Sequence, residues 1–452
     1  MSVVNRGNPS PNELKTFSEA EWQRLHAEHV LELRSRYNQL FRRFSEIDAI
    51  VIHSGTAARK NTRDDQFWPT VATPHFAHWT PYSETSAMLV ILPTVKPCLY
   101  QERHTSFWEG PAPKSSHWDI GSFDIEMVDS LKDLPPLKQC VFVGDDLACA
   151  PHSTIAGPLA AEVMKMMDLI RTRKTPYAVA SIQAATKIAA AGHYRLRDLF
   201  LEGGPVSELD LHYEYLRTTR QTDFSVPYSD IVALGANAGI LHHVHYGKAE
   251  RTGDTSLLLD AGATMNGLAS DITRTWVRGN SRGASLFREL VAQVEAVQQL
   301  LCAEFKVGTA YELLHNKAHE LLADAFCQIG LTSESTENLV SSGATRCLFP
   351  HGLGHSLGIQ VHDVGMKFAA ASAENPYLRN TAVIEESQVV TVEPGVYFIE
   401  SLLVKLKSFP IGSSFDWDKI ELLKPFGGVR IEDNVLATKD GPVNLTRAYI
   451  PW

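Results

Sequence analysis

At 452 residues the chain is longer than one ordinary hydrophobic core supports, which predicts two domains. Its 44% hydrophobic and 21% charged content exclude a disordered chain, and a net charge of -10 with no basic stripe excludes a nucleic-acid binder. No apolar run approaches the roughly 20 residues of a membrane span, so no membrane partner is expected.

Residues 1–11 lack the apolar stretch of a signal peptide, and the six cysteines form no Cys-x-x-Cys pair. Reduced thiols in a soluble, cytoplasmic protein are therefore expected. A helix should open at Ser18, which has capping-box spacing to Glu21, with Phe17 and Trp22 placed to close a hydrophobic staple. Three short apolar runs (residues 47–53, 87–92 and 140–144) read as buried strands of an α/β domain. Between the first two lies a long, aromatic, proline-punctuated loop carrying Asp64, Asp65, Trp68 and Trp79, and loops of that length are usually functional. Residues 165–174 read as a polar connector, and Thr175-Pro176 as the start of a new helix. The predicted domains are 1–168 and 169–452.

In the second domain an apolar run ends on Asp260, passes a Gly/Asn turn and returns through Asp271 into a β-branched, aromatic run. This predicts a hairpin that brings two carboxylates to one spot. Alone, the pair reads as turn-flanking polar residues. Three further clusters change that. Residues 349–363 pack three glycines and His351, His355 and His362 into one stretch; a strand ends on Glu393 before Pro-Gly; and alternation puts Arg430 and Glu432 on one strand face. Singly, these histidines could be surface residues, and Arg430–Glu432 a local ion pair. Together, four strand-end carboxylates and an imidazole form an oxygen-rich donor set for hard or borderline divalent cations. So many carboxylates cannot share a site as bare anions, and two metal ions resolve the repulsion. The residues themselves carry the reading as far as a dinuclear metallohydrolase.

Asp260-x10-Asp271, His351-Gly-Leu-Gly-His355 continuing to His362, Thr391-Val-Glu393-Pro-Gly and Gly428-Val-Arg-Ile-Glu432-Asp-Asn resemble the pita-bread metallopeptidases, and within them the bacterial prolidases (Xaa-Pro dipeptidases), including those known as organophosphorus acid anhydrolases. The likeness spans nearly the whole chain. It implies an α/β (α+β) protein, with an N-terminal mixed-sheet α/β domain and a C-terminal pita-bread catalytic domain. It also implies hydrolysis of dipeptides with C-terminal proline, using two Mn²⁺ per subunit (Co²⁺, Fe²⁺ or Zn²⁺ being alternatives). In the resemblance Asp260 chelates one ion, Asp271 and Glu432 bridge both, and His355 and Glu393 complete the second. A bridging hydroxide attacks, Glu393 shuttles the proton, and His351 and His362 steady the oxyanion or leaving nitrogen. His242 and Arg379 read the proline carboxylate, Arg430 contacts substrate, Tyr228 lines the pocket, and Asp65 and Trp79 on the aromatic loop close the cleft of a homodimeric partner. Aminopeptidase P, acting on longer Xaa-Pro peptides, and an inactive binding scaffold are the alternatives, and promiscuous organophosphate hydrolysis is compatible with the same chemistry. Ser356, Ala382, Glu386-Ser387 and a short 363–376 segment depart from the family pattern at the pocket rim.

Overall fold

A computed structural model of the chain describes residues 17–63, 65–82, 86–103, 117–367 and 369–451. Asp64 and residues 1–11, singled out above, lie outside them. The chain divides into two compact units, one ending at Ser181 and the other spanning Ile182–Trp452.

In the first unit, helix α1 (Glu19–Arg43) begins at Ser18, whose hydroxyl caps the helix while Glu21 reaches back to the Ser18 amide. The Phe17 and Trp22 rings lie 4.8 Å apart, closing the expected staple. Strands β1 (Ala49–His53), β2 (Ala87–Ile91), β3 (Cys98–Glu102), β4 (Asp124–Val128) and β5 (Cys140–Val143) form one mixed sheet in the order β4-β3-β2-β1-β5. β1 pairs antiparallel with β2 and parallel with β5. Its alternate residues explain the uninterrupted apolar run: Ile50 and Ile52 pack with Leu33 and Tyr37 of α1, while Ala49 and Val51 join Met88 and Tyr100 in a second cluster. The long loop holds a short helix, α2 (Pro74–Ala77), whose Phe76 is buried, as is Trp79 just after it.

Residues 165–174 are not the expected polar connector. Most of them belong to helix α3 (Pro158–Thr172), whose Val163, Met167 and Ile170 recur at helical spacing and are buried. Interleaved lysines and arginines disguised that stripe. Helix α4 (Pro176–Leu201) does begin at Thr175-Pro176, where the Thr175 hydroxyl accepts from the Ala178 amide at 3.3 Å. The division between the compact units falls inside α4, after Ser181.

The second unit continues through α5 (Glu208–Thr219), β6 (Ile231–Leu234), β7 (Thr255–Asp260), β8 (Thr264–Met265), β9 (Leu268–Ala269), β10 (Thr273–Arg278), α6 (Arg282–Glu304) and α7 (Tyr311–Gln328). It closes with β11 (Val389–Val392), β12 (Gly395–Tyr397), β13 (Gly428–Arg430), β14 (Asp433–Thr438) and β15 (Gly441–Asn444). The predicted hairpin is present. β7 lies between β6 and β10, Asp260 faces Thr273 across the ladder, and β8–β9 turn through Asn266 and Gly267, both at positive φ. β11 pairs with β14, β12 with β13, and a bridge between Thr273 and Glu432 ties the hairpin to the later strands. Leu290, Val294, Leu301, Leu322 and Phe326 of α6 and α7 join Val390, Val392, Val429 and Val435 in the main core.

All six cysteines are free. Among the described residues, no helix is long and apolar enough to cross a membrane.

Histidines in the first unit set its response to acid. His29 is buried between the Thr175 hydroxyl and the His78 carbonyl (2.7 and 2.6 Å), and burial lowers its pKa to about 3. His26, likewise buried, is lowered to about 4. Both are neutral in the folded state, whereas an unfolded chain protonates them near 6.5. Stability should be full above about pH 6.5 and fall progressively as pH drops toward 3. Chemical denaturation followed across that range should show a shallower decline in His29→Gln.

Candidate metal centre

Four separate stretches of the second unit converge on one cleft of about 900 Å³. Asp260 ends β7, Asp271 lies just before β10, Glu393 follows β11 and Glu432 sits between β13 and β14. His355 comes from the glycine-rich stretch, which runs beside β11: the Thr391 amide donates to the His355 carbonyl at 2.9 Å, and the Glu393 amide to that of Leu353 at 2.8 Å. That approach requires Gly354, where an added Cβ would lie 2.0 Å from the Thr391 carbonyl oxygen.

Asp271, His355 and Glu432 each offer a ligand atom, all within 4.8 Å of one another. His355 Nε2 lies 3.3 Å from Asp271 Oδ2 and 3.7 Å from Glu393 Oε1. Its Nδ1 is 3.1 Å from the Ser356 carbonyl, which can only accept, so Nδ1 carries the proton and Nε2 presents a lone pair. The Tyr228 hydroxyl is 2.9 Å from Asp260 Oδ1 and 2.5 Å from Asp271 Oδ1, yet it has one proton to give. Arg430 Nη2 donates to Asp260 Oδ2 at 2.6 Å, and the Thr273 hydroxyl to Glu432 Oε2 at 2.6 Å. Arg430 is therefore spent on Asp260 and does not form the local pair with Glu432 that alternation alone suggested.

Burial and mutual repulsion raise three carboxyls well above the ordinary range. Asp271 is raised by burial and Asp260, Glu432 by burial and Asp271, and Glu393 by burial and Glu432. His355 is lowered by burial, and His351 is held at about 3 by burial and the Arg430 charge. Neutral imidazoles among carboxylates that resist ionisation without added positive charge suit divalent cations. The donor set fits such ions.

Other predicted residues line the same cleft: Tyr228, His242, His351, His362, Arg379 and Arg430. Arg379 Nη1 is 3.4 Å from His362 Nδ1, and the His355 and His362 rings meet edge to face at 4.3 Å. Asp65 and Trp79 belong to the first unit. Asp65 is exposed, but Trp79 is completely buried against Tyr37, with ring centroids 4.9 Å apart. The expectation that Trp79 helps close a partner's cleft is corrected for its side chain, which is a core residue of its own domain. The exposed aromatics of that loop are Phe67 and Trp68.

Several supporting residues escaped the sequence reading. Tyr397 Oη lies 2.8 Å from His351 Nε2 and accepts from Arg430 Nη1 at 3.0 Å. Thr273 accepts from Arg430 Nε at 3.2 Å while donating to Glu432. Its place two residues after Asp271 was a period-2 hint. Behind the site, buried Arg274 donates to the Thr273 and Glu432 carbonyls (2.9 and 2.8 Å) and to Asp433 Oδ1 (2.8 Å). Burial opposes ionisation of Asp433, but Arg274 and Arg447 outweigh it and hold the carboxyl at about 2.

Residues 180–439 match the model of metallopeptidase family M24, and residues 24–167 that of the Xaa-Pro dipeptidase N-terminal domain. An Xaa-Pro dipeptidase of Pseudoalteromonas translucida is 36% identical over 436 residues, covering 94% of this chain and 98% of its own. One from Aeromonas hydrophila is 35% identical over 446 residues, with 95% and 99% covered. Among solved structures, Proline aminopeptidase P II from Yersinia pestis superposes with a TM-score of 0.70 at 22% identity, over 96% of this chain and 97% of that one. The low-pH form of aminopeptidase P from Escherichia coli gives 0.72 at 21%, over 96% of each chain. At those identities the two structures speak for the fold.

Two outcomes are expected. Asp433→Ala leaves Arg274 buried without its carboxylate and should cost about 3–5 kcal/mol in denaturant unfolding. Adding Mn²⁺ to metal-stripped protein should raise the free energy of unfolding by about 4 kcal/mol at ~1,000 times the Kd, and Asp271→Asn should abolish most of that rise.

Proposed function

The chain belongs to metallopeptidase family M24, as an Xaa-Pro dipeptidase of pita-bread fold, and from that premise we propose how its cleft performs the hydrolysis and which groups it uses. The observation that carries the reading is the convergence of Asp260, Asp271, His355, Glu393 and Glu432 on one cleft whose wall also bears Arg379 and His242. These five residues would hold a pair of divalent ions, and their oxygen-rich character favours Mn²⁺. When bound, such ions polarise a scissile carbonyl and activate a water at neutral pH.

The protein's own groups do the rest. Glu393, with Oε1 3.7 Å from His355 Nε2, is placed to take a proton from the attacking water and pass it to the leaving nitrogen. His351 is fixed by the Gly352 carbonyl, to which Nδ1 donates, and by Tyr397, while burial and the Arg430 charge keep its ring neutral. An Xaa-Pro bond has no amide N–H for an enzyme to grip, and proline fixes its own φ, so the substrate must be held by its ends. Arg379 supplies a permanent positive charge for the free proline carboxylate, with His242 and His362 beside it in the cleft. Arg430 is committed to Asp260 and Tyr397, which favours a role in shaping the carboxylates over direct contact with substrate. The reading extends to a cytoplasmic homodimer in which Asp65 serves the partner's cleft, as the family resemblance implies. Aminopeptidase P chemistry is the second reading, favoured only by the fold likeness.

Gly-Pro or Ala-Pro should be cleaved in an Mn²⁺-dependent, chelator-sensitive manner, and an Xaa-Pro-Xaa tripeptide much more slowly; the reverse preference would install the second reading. Glu393→Gln should lower kcat by about 10²–10⁴-fold, and unimpaired turnover would remove its proton-transfer role. Arg379→Ala should raise KM about 10–100-fold, in line with the ~1.5–3 kcal/mol of a hydrogen bond to a charged group.

A further inference from the structure

Glu208 is the first residue of α5, and its side chain is almost completely buried. Both carboxylate oxygens are doubly engaged, and all four donors come from one stretch of chain. Oε1 accepts from the Leu234 amide at 2.9 Å and from Asn237 Nδ2 at 2.7 Å. Oε2 accepts from His243 Nε2 at 2.8 Å and from the Gly247 amide at 2.7 Å. Two oxygens offer about four acceptor sites, so the carboxylate is saturated. Burial opposes its ionisation, but these donors outweigh burial and lower its pKa.

The stretch so gripped contains residues 240–247, which form no helix or strand. A loop of this kind keeps one conformation only through its side-chain anchors. His243 is buried on Glu208, whereas its neighbour His242 is exposed and lines the cleft. One turn along α5, His212 repeats the arrangement. Its Nδ1 lies 2.7 Å from Asp230 Oδ1, and its ring stacks on that of Tyr246 at 4.2 Å. Tyr246 in turn donates to the Asp230 carbonyl at 2.8 Å. The face of α5 thus grips the chain just before the loop, at Leu234 and Asn237, and the loop itself at His243, Tyr246 and Gly247.

We infer that Glu208 is a positioning residue for dipeptide recognition: through His243 and the Gly247 amide it fixes residues 240–247 so that His242 faces the substrate carboxylate. The inference rests on the reading of His242 as a substrate contact. Glutamine at 208 keeps the size but replaces an oxygen by a donor, so the four-fold acceptance is lost. Glu208 touches none of the carboxylates at the metal centre, so its effect should appear in binding.

The test is Gly-Pro hydrolysis by Mn²⁺-loaded protein in a double-mutant cycle. Glu208→Gln should raise KM about tenfold and leave kcat within about threefold. In a His242→Ala background the same change should add little to KM. His243→Leu, which removes one donor, should reproduce the KM increase, and His243→Gln, whose amide can still donate to Glu208, should return KM most of the way to the parent value. The inference is overturned if folded Glu208→Gln and His243→Leu keep the parent KM, if they lower kcat alone, or if their effects add fully to that of His242→Ala. An unchanged KM in His242→Ala itself would remove the premise, and the inference with it. A raised KM there with an unaffected Glu208→Gln would overturn the inference alone.

Discussion

Electrostatic repulsion among inward-facing carboxylates is the constraint around which the second unit is built. Asp260, Asp271, Glu393 and Glu432 line a cleft where water cannot fully screen them, and three of the four resist ionisation as a result. Fixed donors temper part of this repulsion: Arg430 on Asp260, Thr273 on Glu432 and the shared Tyr228 hydroxyl between the aspartates. The remaining negative charge is what a pair of divalent ions can use.

Holding the carboxylates together demands a rigid backbone, because each comes from a different strand end. The Thr273–Glu432 bridge joins the hairpin to β14, and Arg274 fastens the same junction from behind through two carbonyls and Asp433. Close approach at Gly354 lays the histidine stretch against β11, so His355 and Glu393 take their places from one ladder. Positions set this way depend on main-chain hydrogen bonds more than on side-chain flexibility, which suits a centre that must be preorganised.

Charge is also divided within the cleft. Carboxylates gather at the proposed metal centre, while Arg379, with His362 beside it, brings a permanent positive charge to another part of the same cleft. That separation suits a small zwitterionic substrate. Helix α5 carries no residue of the metal centre, yet its Glu208 grips the loop whose His242 lines the cleft.

The sequence by itself determined the local features: the capping box at Ser18, the hairpin ending on Asp260, the buried strands at 49–53, 87–91 and 140–143, and the spacing of the five residues that converge. These are legible because periodicity, turn chemistry and isolated charges at strand ends act over a few residues. Tertiary structure alone decided whether a residue of suitable type was free to act. Trp79 is consumed by its own core, Arg430 by Asp260 rather than Glu432, and residues 165–172 by a helix whose apolar stripe was hidden among charges. Thr273, Tyr397, Arg274 and Glu208 acquire their roles chiefly from partners 26 or more positions away, as in the Glu208–Leu234 and Arg274–Asp433 contacts. Pairing at such distances depends on how the elements pack, and no local pattern records it.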